Sequence, residues 1–372
     1  MAAPTMMPVP PTVEVTVALE PVYNILMTMA ALRTPEDYGG ADEWVVQTER
    51  QFTPELRARH TFLMRWVWLD ALTNAVERGP ATASFPAYLA ALAAQDAVAL
   101  RNRILDYLIH SVHLRVFYDA LPAPAIPADL LLADVDKFTG FWTQRVRGKD
   151  DLIDTADVAD FHRLLNAPPQ LQGMLITHLQ TMWQTIVEPE WVRVQPHLQA
   201  CVDAFAQIPL TGLTMLEAMQ LVTGRDLRPV FRLEALWTYR QVRFIPNTHN
   251  GPYVVWFGND TELRIGFPAR FPANAASSPK RLAQSTFVNR YKALADETRL
   301  AILLALYEVK TLSTQEIIDR FELDKSAASR HLRQLVATSL IEEQRAEGAK
   351  KVYQLNQVAI EELIQMLSGF LR

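Results

Sequence analysis

A proline-rich segment near residue 270 divides the chain into two parts of different composition. Residues 268–281 read PARFPANAASSPKR, and three prolines within twelve positions prevent a continuous helix there. All eight tryptophans of the 372-residue chain lie before this segment. The pattern therefore predicts a first domain over residues 1–267, a semi-extended linker over 268–281, and a second domain over 282–372.

Charge also differs between the two parts. From Lys280 onward the chain carries 14 Lys and Arg against 12 Asp and Glu, whereas the preceding part carries 22 against 29. The formal net charge of the whole chain is −5. Contact with a nucleic acid must therefore come from locally clustered positive charge in the C-terminal part.

Composition excludes several kinds of protein. No apolar run reaches the roughly 18 residues that a membrane span needs, and the uncharged start lacks the basic and apolar regions of a signal peptide. A single cysteine, Cys201, excludes an internal disulfide and a multi-thiolate metal site. We therefore expect a cytoplasmic protein that does not contact a membrane.

The first domain is predicted to be mostly helical with a small β element. Residues 13–19 alternate apolar and polar side chains and predict one strand. Thr-Pro-Glu at Thr34 and Thr53 is typical of a helix start, where the threonine caps and the proline occupies the first turn. Three short apolar segments near the end predict a small antiparallel sheet. They cover residues 242–246, 253–257 and 263–267.

Three capped helices are predicted in the second domain. Asp296 can cap the first helix, in which Leu300, Leu303, Leu304 and Leu306 supply an apolar side. Ser313 and Glu316 have the spacing of a capping box, which opens a short second helix. After a tight connection, Asp324 can cap a third helix from Lys325 to about residue 338.

The third helix has two different faces. Small and apolar residues at i, i+4 and i+7 predict a buried face, and a second face is positive and rich in hydrogen-bond donors. Such a face suits the major groove of DNA, although an ordinary solvated helix face is the alternative. The buried face comprises Ala328, Leu332 and Leu335, and the polar face comprises Ser326, Ser329, Arg330 and Arg333.

A hairpin and a last helix complete the domain. Residues 341–347 and 351–355 alternate apolar and polar side chains around Gly348-Ala349, which predicts a β-hairpin. The tip and flanks of this wing carry three cations that can contact phosphates: Arg345, Lys350 and Lys351. Residues 358–371 predict a final helix with an apolar stripe.

Three motifs in this order resemble the ArsR family of bacterial winged-helix regulators. They are LADETRL at 294–300, SAASRHL at 326–332 and KVYQL at 351–355. The resemblance implies a homodimer, paired through its first and last helices, that binds a double-stranded operator and in many members releases it on binding an inducer. The positions that would contact DNA are Lys325, Ser326, Ser329, Arg330, His331, Arg333, Arg345, Lys350 and Lys351.

Two departures from the family bear on function. Its metal sensors carry paired cysteines in the helix that here reads TQEIID over 314–319, or histidines and carboxylates in the last helix. Neither helix contains Cys or His here, so we expect no metal site and no cofactor. Ser339 stands where a glycine usually follows the recognition helix, so a left-handed backbone conformation should cost more free energy there than it would with glycine.

The first domain is predicted to be either a sensor for a small-molecule effector or a scaffold for dimerisation. Its tryptophans could line an apolar pocket, but core packing is the more usual role. His110 and His113 have the spacing of two metal ligands without an identified third, and His249 is predicted to lie on a turn surface. No nucleophile elbow, phosphate loop or dinucleotide fingerprint occurs, so we expect no enzyme.

These patterns predict a mainly α fold with a small antiparallel β element, followed by an α/β winged helix-turn-helix domain. The expected function is a transcriptional regulator, a repressor, that binds DNA through recognition helix 325–338 and wing 341–355. The first domain would sense an unknown signal. One alternative makes the winged helix a protein-interaction module with the helical domain as scaffold, and another makes the first domain an enzyme fused to its own regulator.

Overall fold

Helices predominate in the first domain, as predicted. They are α1 (Pro21–Ala31), α2 (Glu43–Arg50), α3 (Pro54–Trp66), α4 (Leu69–Thr73), α5 (Phe85–Ala93), α6 (Ala97–His110), α7 (Ala128–Ala133), α8 (Val135–Arg145), α9 (Thr155–Leu165), α10 (Pro168–Met182), α11 (Glu188–Phe205) and α12 (Met215–Thr223). The computed structural model describes residues 12–33, 35, 42–67, 69–110, 126–145, 154–225, 227, 239–258, 262–272, 290–345, 351–357, 359–361 and 363–364. Within these ranges no helix is both long enough and apolar enough to cross a membrane.

Local capping explains where α3 begins. Thr53 Oγ1 accepts a hydrogen bond from Leu56 N at 3.2 Å, and Pro54 occupies the first turn, as the Thr-Pro-Glu pattern predicts. The second such signal, at Thr34, lies outside the described residues, as does His113.

The larger core of the first domain is built around packed aromatic rings. Trp66 and Phe161 stack with 4.6 Å between ring centroids and 6° between planes, and Trp142 lies 4.7 Å from Trp66. All three side chains are fully buried, and Trp183 is nearly so. These tryptophans therefore fill the core, where large rings stabilise the fold by burial and by ring contacts, rather than line a ligand pocket.

The sheet of the first domain differs from the predicted antiparallel arrangement. Its strands β1 (Glu14–Val17), β2 (Gln241–Asn247), β3 (Val255–Gly258) and β4 (Glu262–Pro268) lie in the order β1-β2-β4-β3. β1 pairs with β2 and β2 with β4 in parallel, and β3 pairs with β4 antiparallel. The four predicted strand positions and the antiparallel pairing of β3 with β4 are confirmed, but the sheet as a whole is mixed rather than antiparallel.

Burial gives the physical reason for this strand order. β2 and β4 are buried along most of their length, and strands that are buried on both faces take the centre of a sheet. The shorter β1 and β3 are less buried and take the edges. An alternation of apolar and polar residues indicates a strand but does not say which strand lies beside it.

The turn after β2 is buried, so the predicted surface position of His249 is wrong. His249 is 3% exposed. Its Nε2 lies 2.7 Å from Glu190 Oε1 on α11, and its Nδ1 lies 3.0 Å from Thr28 Oγ1 on α1. Partners from two distant helices satisfy the imidazole, which is why a turn-forming sequence can lie inside the domain.

The segment after β4 belongs to the first domain rather than to the linker. The Cys201 thiol on α11 donates to Arg270 O at 2.7 Å. Phe271 is 8% exposed and packs in the core beneath the sheet, where burial of its ring is favourable. The predicted linker over 268–281 therefore begins no earlier than residue 273, and 273–281 lie outside the described part of the chain.

The second domain is a small α/β unit. It contains α13 (Glu297–Val309), β5 (Thr311–Ser313), α14 (Thr314–Phe321), α15 (Lys325–Ala337), β6 (Ile341–Arg345) and β7 (Lys351–Leu355). The strands form an antiparallel sheet in the order β5-β7-β6. Residues 359–361 and 363–364 are helical, and most of the rest of the predicted helix 358–371 falls outside the described ranges.

Candidate nucleic-acid interface

Two short helices and a left-handed residue form a helix-turn-helix. Ser313 Oγ accepts a hydrogen bond from Glu316 N at 3.3 Å, and Ser313 N donates to Glu316 Oε2 at 2.8 Å, so the predicted capping box opens α14. α14 ends at Glu322, whose φ of 51° turns the chain sharply. Asp324 then accepts from Ala327 N at 2.8 Å and opens α15, as predicted.

The inner face of α15 anchors this helix in the core of the domain. Ala328, Leu332 and Leu335 are at most 3% exposed, as their spacing predicts. The two leucines pack with apolar residues of α13, α14, β6 and β7. Each buried leucine contributes roughly 1.5–3 kcal/mol relative to an exposed one, so the orientation of α15 in the domain is strongly determined.

The opposite face of α15 exposes three cations. Lys325, Arg330 and Arg333 are all exposed. The ion pairs of this domain involve other residues, and no described carboxylate lies within ion-pair distance of these three. Asp324 is close enough to Arg330 for a charge interaction, but exposed cations that form no ion pair are available to phosphates and to guanine edges.

The two serines of the predicted polar face are partly engaged within the protein. Ser326 Oγ donates to Asp324 Oδ1 at 2.6 Å, and this hydrogen bond lowers the pKa of the Asp324 carboxyl below its ordinary value. Ser329 is half-buried, and its Oγ lies 3.5 Å from Arg333 Nη2. The serines therefore orient the helix cap and one arginine in the unbound protein.

His331 lies apart from the exposed face. Its side chain is 14% exposed, and its Nδ1 lies 3.5 Å from Asp296 Oδ1 at the start of α13. Burial lowers the pKa of His331 below its ordinary value, so the imidazole is neutral near pH 7. Each helical residue is rotated by about 100° from the one before it, which turns His331 away from Arg330 and toward α13. The resemblance to the ArsR family grouped it with the DNA-contacting positions.

β6 and β7 form the predicted wing and pair antiparallel. Lys351 Nζ lies 2.9 Å from Glu343 Oε1 on the neighbouring strand, so in the unbound protein this cation has an acidic partner. Lys350 and the side chain of Arg345 lie outside the described residues. An exposed ion pair of this kind is weak and exchanges readily for a phosphate contact.

The C-terminal end of α15 has one predicted feature and two contacts that sequence reasoning missed. Ser339 has a φ of 60°, the left-handed conformation expected at this position. Arg290 Nε donates to Thr338 O at 3.3 Å, and Arg225 Nη2 of the first domain donates to Val336 O at 2.7 Å. No local pattern marks Arg225, because it lies 111 residues from its partner in the chain.

Comparison with known proteins identifies the same part of the chain. Residues 294–344 match the model of a helix-turn-helix domain family. Among solved structures, reduced HlyU from Vibrio cholerae N16961 is 32% identical, the match covers 23% of this chain and 90% of HlyU, and the TM-score is 0.20. No curated protein matches the chain.

The C-terminal fold and the family match together define a winged helix-turn-helix domain. Domains of this kind bind double-stranded DNA by placing the second helix of the motif in the major groove. That helix is α15 here. The chain therefore carries a winged helix-turn-helix domain, which supports a role as a DNA-binding regulator.

Proposed function

We propose that this chain is an ArsR-type repressor that binds an operator as a homodimer and responds to a signal received by its first domain. The observation that carries the proposal is the set of exposed cations Lys325, Arg330 and Arg333 on α15, none of which forms an ion pair within the described part of the chain. A guanidinium can donate two hydrogen bonds to the O6 and N7 of guanine or to a phosphate. The proposal includes no enzymatic activity.

An apolar face of α13 supports the proposed dimer. Leu300, Leu304 and Tyr307 are 44%, 58% and 69% exposed and recur on one side of the helix. Only Leu303 and Leu306 of the predicted apolar side are buried in the domain core, so the expectation that all four leucines share one side needs correction. A second copy of the chain would cover this exposed face in a homodimer. The dimer would then present two α15 helices, one to each of two successive major grooves.

Substitution of the two arginines tests the DNA interface. Genomic footprinting with the full chain first identifies the operator. Each arginine that contacts a base or a phosphate is worth about 1–3 kcal/mol. Arg330→Ala with Arg333→Ala should therefore weaken operator binding by roughly 100-fold or more in fluorescence anisotropy.

Arg163→Ala serves as the matched control, because Arg163 is an exposed arginine on α9 of the first domain. It should leave the affinity unchanged. The double variant must also keep the circular dichroism spectrum and oligomeric state of the wild type. Unchanged operator affinity in a folded double variant would contradict the interface and favour the protein-interaction alternative.

Substitution of Leu304 tests the dimer. Leu304→Glu places a charge in the middle of the apolar face of α13, and burying an unpaired carboxylate in an interface is costly. We expect this variant to sediment as a monomer at concentrations where the wild type is a dimer. Val192→Glu, at a 65% exposed position on α11, is the control and should sediment like the wild type. A wild-type chain that is monomeric at all concentrations would exclude this arrangement.

A further inference from the structure

Arg225 joins the first domain to the end of the recognition helix. Its Nη1 donates to Pro252 O at 2.8 Å, in the loop between β2 and β3, and its Nη2 donates to Val336 O at 2.7 Å, in the last turn of α15. The planar guanidinium can donate in two fixed directions at once. One side chain therefore connects a loop of the first domain to the helix that faces DNA.

The contact is specific rather than a surface ion pair. The Arg225 side chain is half-buried, and burial lowers the pKa of Arg225 to about 10, so the group stays charged near neutral pH. Among the described residues no carboxylate lies within ion-pair distance of it. A cation that is partly removed from water needs hydrogen bonds to offset its lost hydration. The Pro252 and Val336 carbonyls accept these hydrogen bonds, and Val336 lies at the negative end of the α15 dipole.

The backbone that carries Arg225 has little freedom. α12 ends at Gly224, whose φ of 71° is left-handed. This left-handed conformation favours glycine, whereas a Cβ at this position would meet only the movable end of the Arg270 side chain. Arg225 N also donates to Thr223 Oγ1 at 3.2 Å. The side chain of Arg225 therefore leaves the first domain in a defined direction.

The loop whose Pro252 carbonyl accepts a hydrogen bond from Arg225 is held by contacts with the core of the first domain. Asn247 Oδ1 accepts from His249 N at 2.7 Å, and the buried His249 ring contacts Glu190 on α11 and Thr28 on α1. These contacts hold the start of the loop that ends at Pro252. A shift of α1 or α11 against the sheet must therefore move the carbonyl that Arg225 binds.

We infer that Arg225 is a positioning residue for α15, through which the packing around His249 controls how firmly the recognition helix is held. A signal that rearranges this part of the first domain would reach α15 through contiguous contacts, with Arg225 as the connection between the domains. The consequence for DNA binding rests on the proposed function. The mechanical link between the domains does not.

Amide hydrogen exchange of the full chain tests the link without DNA. The amides of Thr338, Ser339 and Leu340 bond to the last turn of α15 and report on its end. Arg225→Met keeps the apolar stem and removes the donors, so exchange of these amides should accelerate by on the order of tenfold. Exchange in α14 should not change, and the exposed control Arg163→Met should behave like the wild type. Unchanged exchange at the end of α15 would overturn the inference.

A double-mutant cycle tests the path through the loop. His249→Gln removes the imidazole contacts, and Thr28→Val is the milder variant in case the first does not fold. Either substitution should accelerate exchange at the end of α15 when Arg225 is present and have little effect there in the Arg225→Met background. Equal effects in both backgrounds would contradict coupling through Arg225.

Operator affinity distinguishes this inference from the proposed function. Arg225→Met should change affinity by about 5- to 150-fold, the usual range of coupling between sites. Arg225→Lys keeps the charge but cannot donate in two fixed directions, so its operator affinity should lie between those of Arg225→Met and the wild type. If the wild-type chain binds no duplex, the proposed function fails while the exchange results still decide the link. If the wild type binds and Arg225→Met has the same affinity, the link does not position α15 for DNA.

Discussion

The two domains place their charged side chains in opposite ways. The first domain buries Glu20, Glu49, Asp70, Glu190, Glu262 and Arg264, together with three histidines. In the described part of the second domain Arg290 alone is a buried charged residue, and the cations of α15 face solvent. Buried charges must be paired within the fold, whereas exposed ones remain available to a partner. The comparison shows that charge is buried and paired within the first domain and left exposed on α15 in the second.

A network of two carboxylates and three arginines shows this use of charge in the first domain. Glu262 lies within 3.0 Å of Arg78, Arg243 and Arg264, and Glu20 lies 3.3 and 3.4 Å from the first two. The pKa of Glu262 stays below its ordinary value because the arginines outweigh the opposing effect of burial. Removing one carboxylate would leave guanidinium groups in the protein without a counter-charge.

The largest effect is expected from Glu262→Gln. Breaking a buried ion pair on one side costs about 3–5 kcal/mol, so the free energy of unfolding of the first domain should fall by roughly that amount. All eight tryptophans lie in this domain, so urea unfolding followed by tryptophan fluorescence measures it selectively.

Arg330→Ala with Arg333→Ala is the matched comparison for this prediction. It removes two exposed charges from the second domain and should change stability by about 0.5 kcal/mol or less. A similar loss of stability in both variants would contradict the difference between the domains. A loss below about 1 kcal/mol for Glu262→Gln would show that the arginines find other partners.

The pH dependence of stability gives an intermediate effect. His60 Nδ1 and His178 Nε2 lie 2.9 Å apart in the core. Burial lowers the pKa of His60 to about 4 and of His178 to about 3, from an ordinary value of 6.5. At pH values between 6.5 and about 4, the unfolded chain therefore binds more protons than the folded chain. The contribution of the two neutral histidines to the free energy of unfolding is complete above pH 6.5 and is lost as the pH falls toward 4.

Asp70 acts in the opposite direction. Burial raises the pKa of Asp70 from 3.8 to about 7. The contribution of its neutral carboxyl to the free energy of unfolding is therefore present at low pH and is lost as the pH rises toward 7. His178→Gln should reduce the slope of unfolding free energy against pH by about 1.4 kcal/mol per unit near pH 5.5, and Asp70→Asn should increase it similarly. Urea unfolding across this range measures the slopes. Identical slopes in the wild type and both variants would mean that these groups titrate alike in the folded and unfolded chain.

The smallest effect is expected from Ser339→Gly in the second domain. A left-handed φ costs an ordinary residue roughly 1–2 kcal/mol, and glycine avoids this cost. The variant should gain about 1 kcal/mol in stability, seen by circular dichroism but not by tryptophan fluorescence, which reports on the other domain. Operator affinity should not change. A loss of stability would show that contacts of the Ser339 side chain outweigh the backbone strain.

Much of the second domain could be predicted because its signals are local. The Ser313–Glu316 capping box, the Asp324 cap and the left-handed Ser339 each involve residues three or four positions apart. The cations of α15 were found for the same reason, since helical spacing sorts residues between an apolar and a polar face. His331 shows the limit, because its direction depends on α13 packing beside it.

The first domain was less predictable because its decisive contacts join distant residues. Strand positions follow from alternation, but the order β1-β2-β4-β3 depends on which strands are buried on both faces. Phe271 and His249 sit in segments with loop-like composition and are nonetheless buried. Asn24 Nδ2 donates to Pro246 O at 2.6 Å across 222 residues, and no local pattern encodes such a partner.

The sequence by itself determined the helix-turn-helix and the exposed cations of α15, and it predicted the division into two domains. These features arise from interactions within one or two helical turns and from proline and glycine geometry. The tertiary structure alone decided which strands pair, which charges are buried and how the two domains touch. Such choices depend on the competition among buried surfaces over the whole chain. The contact from Arg225 to Val336 is the clearest case, because only the folded protein brings a residue of α15 beside the end of α12.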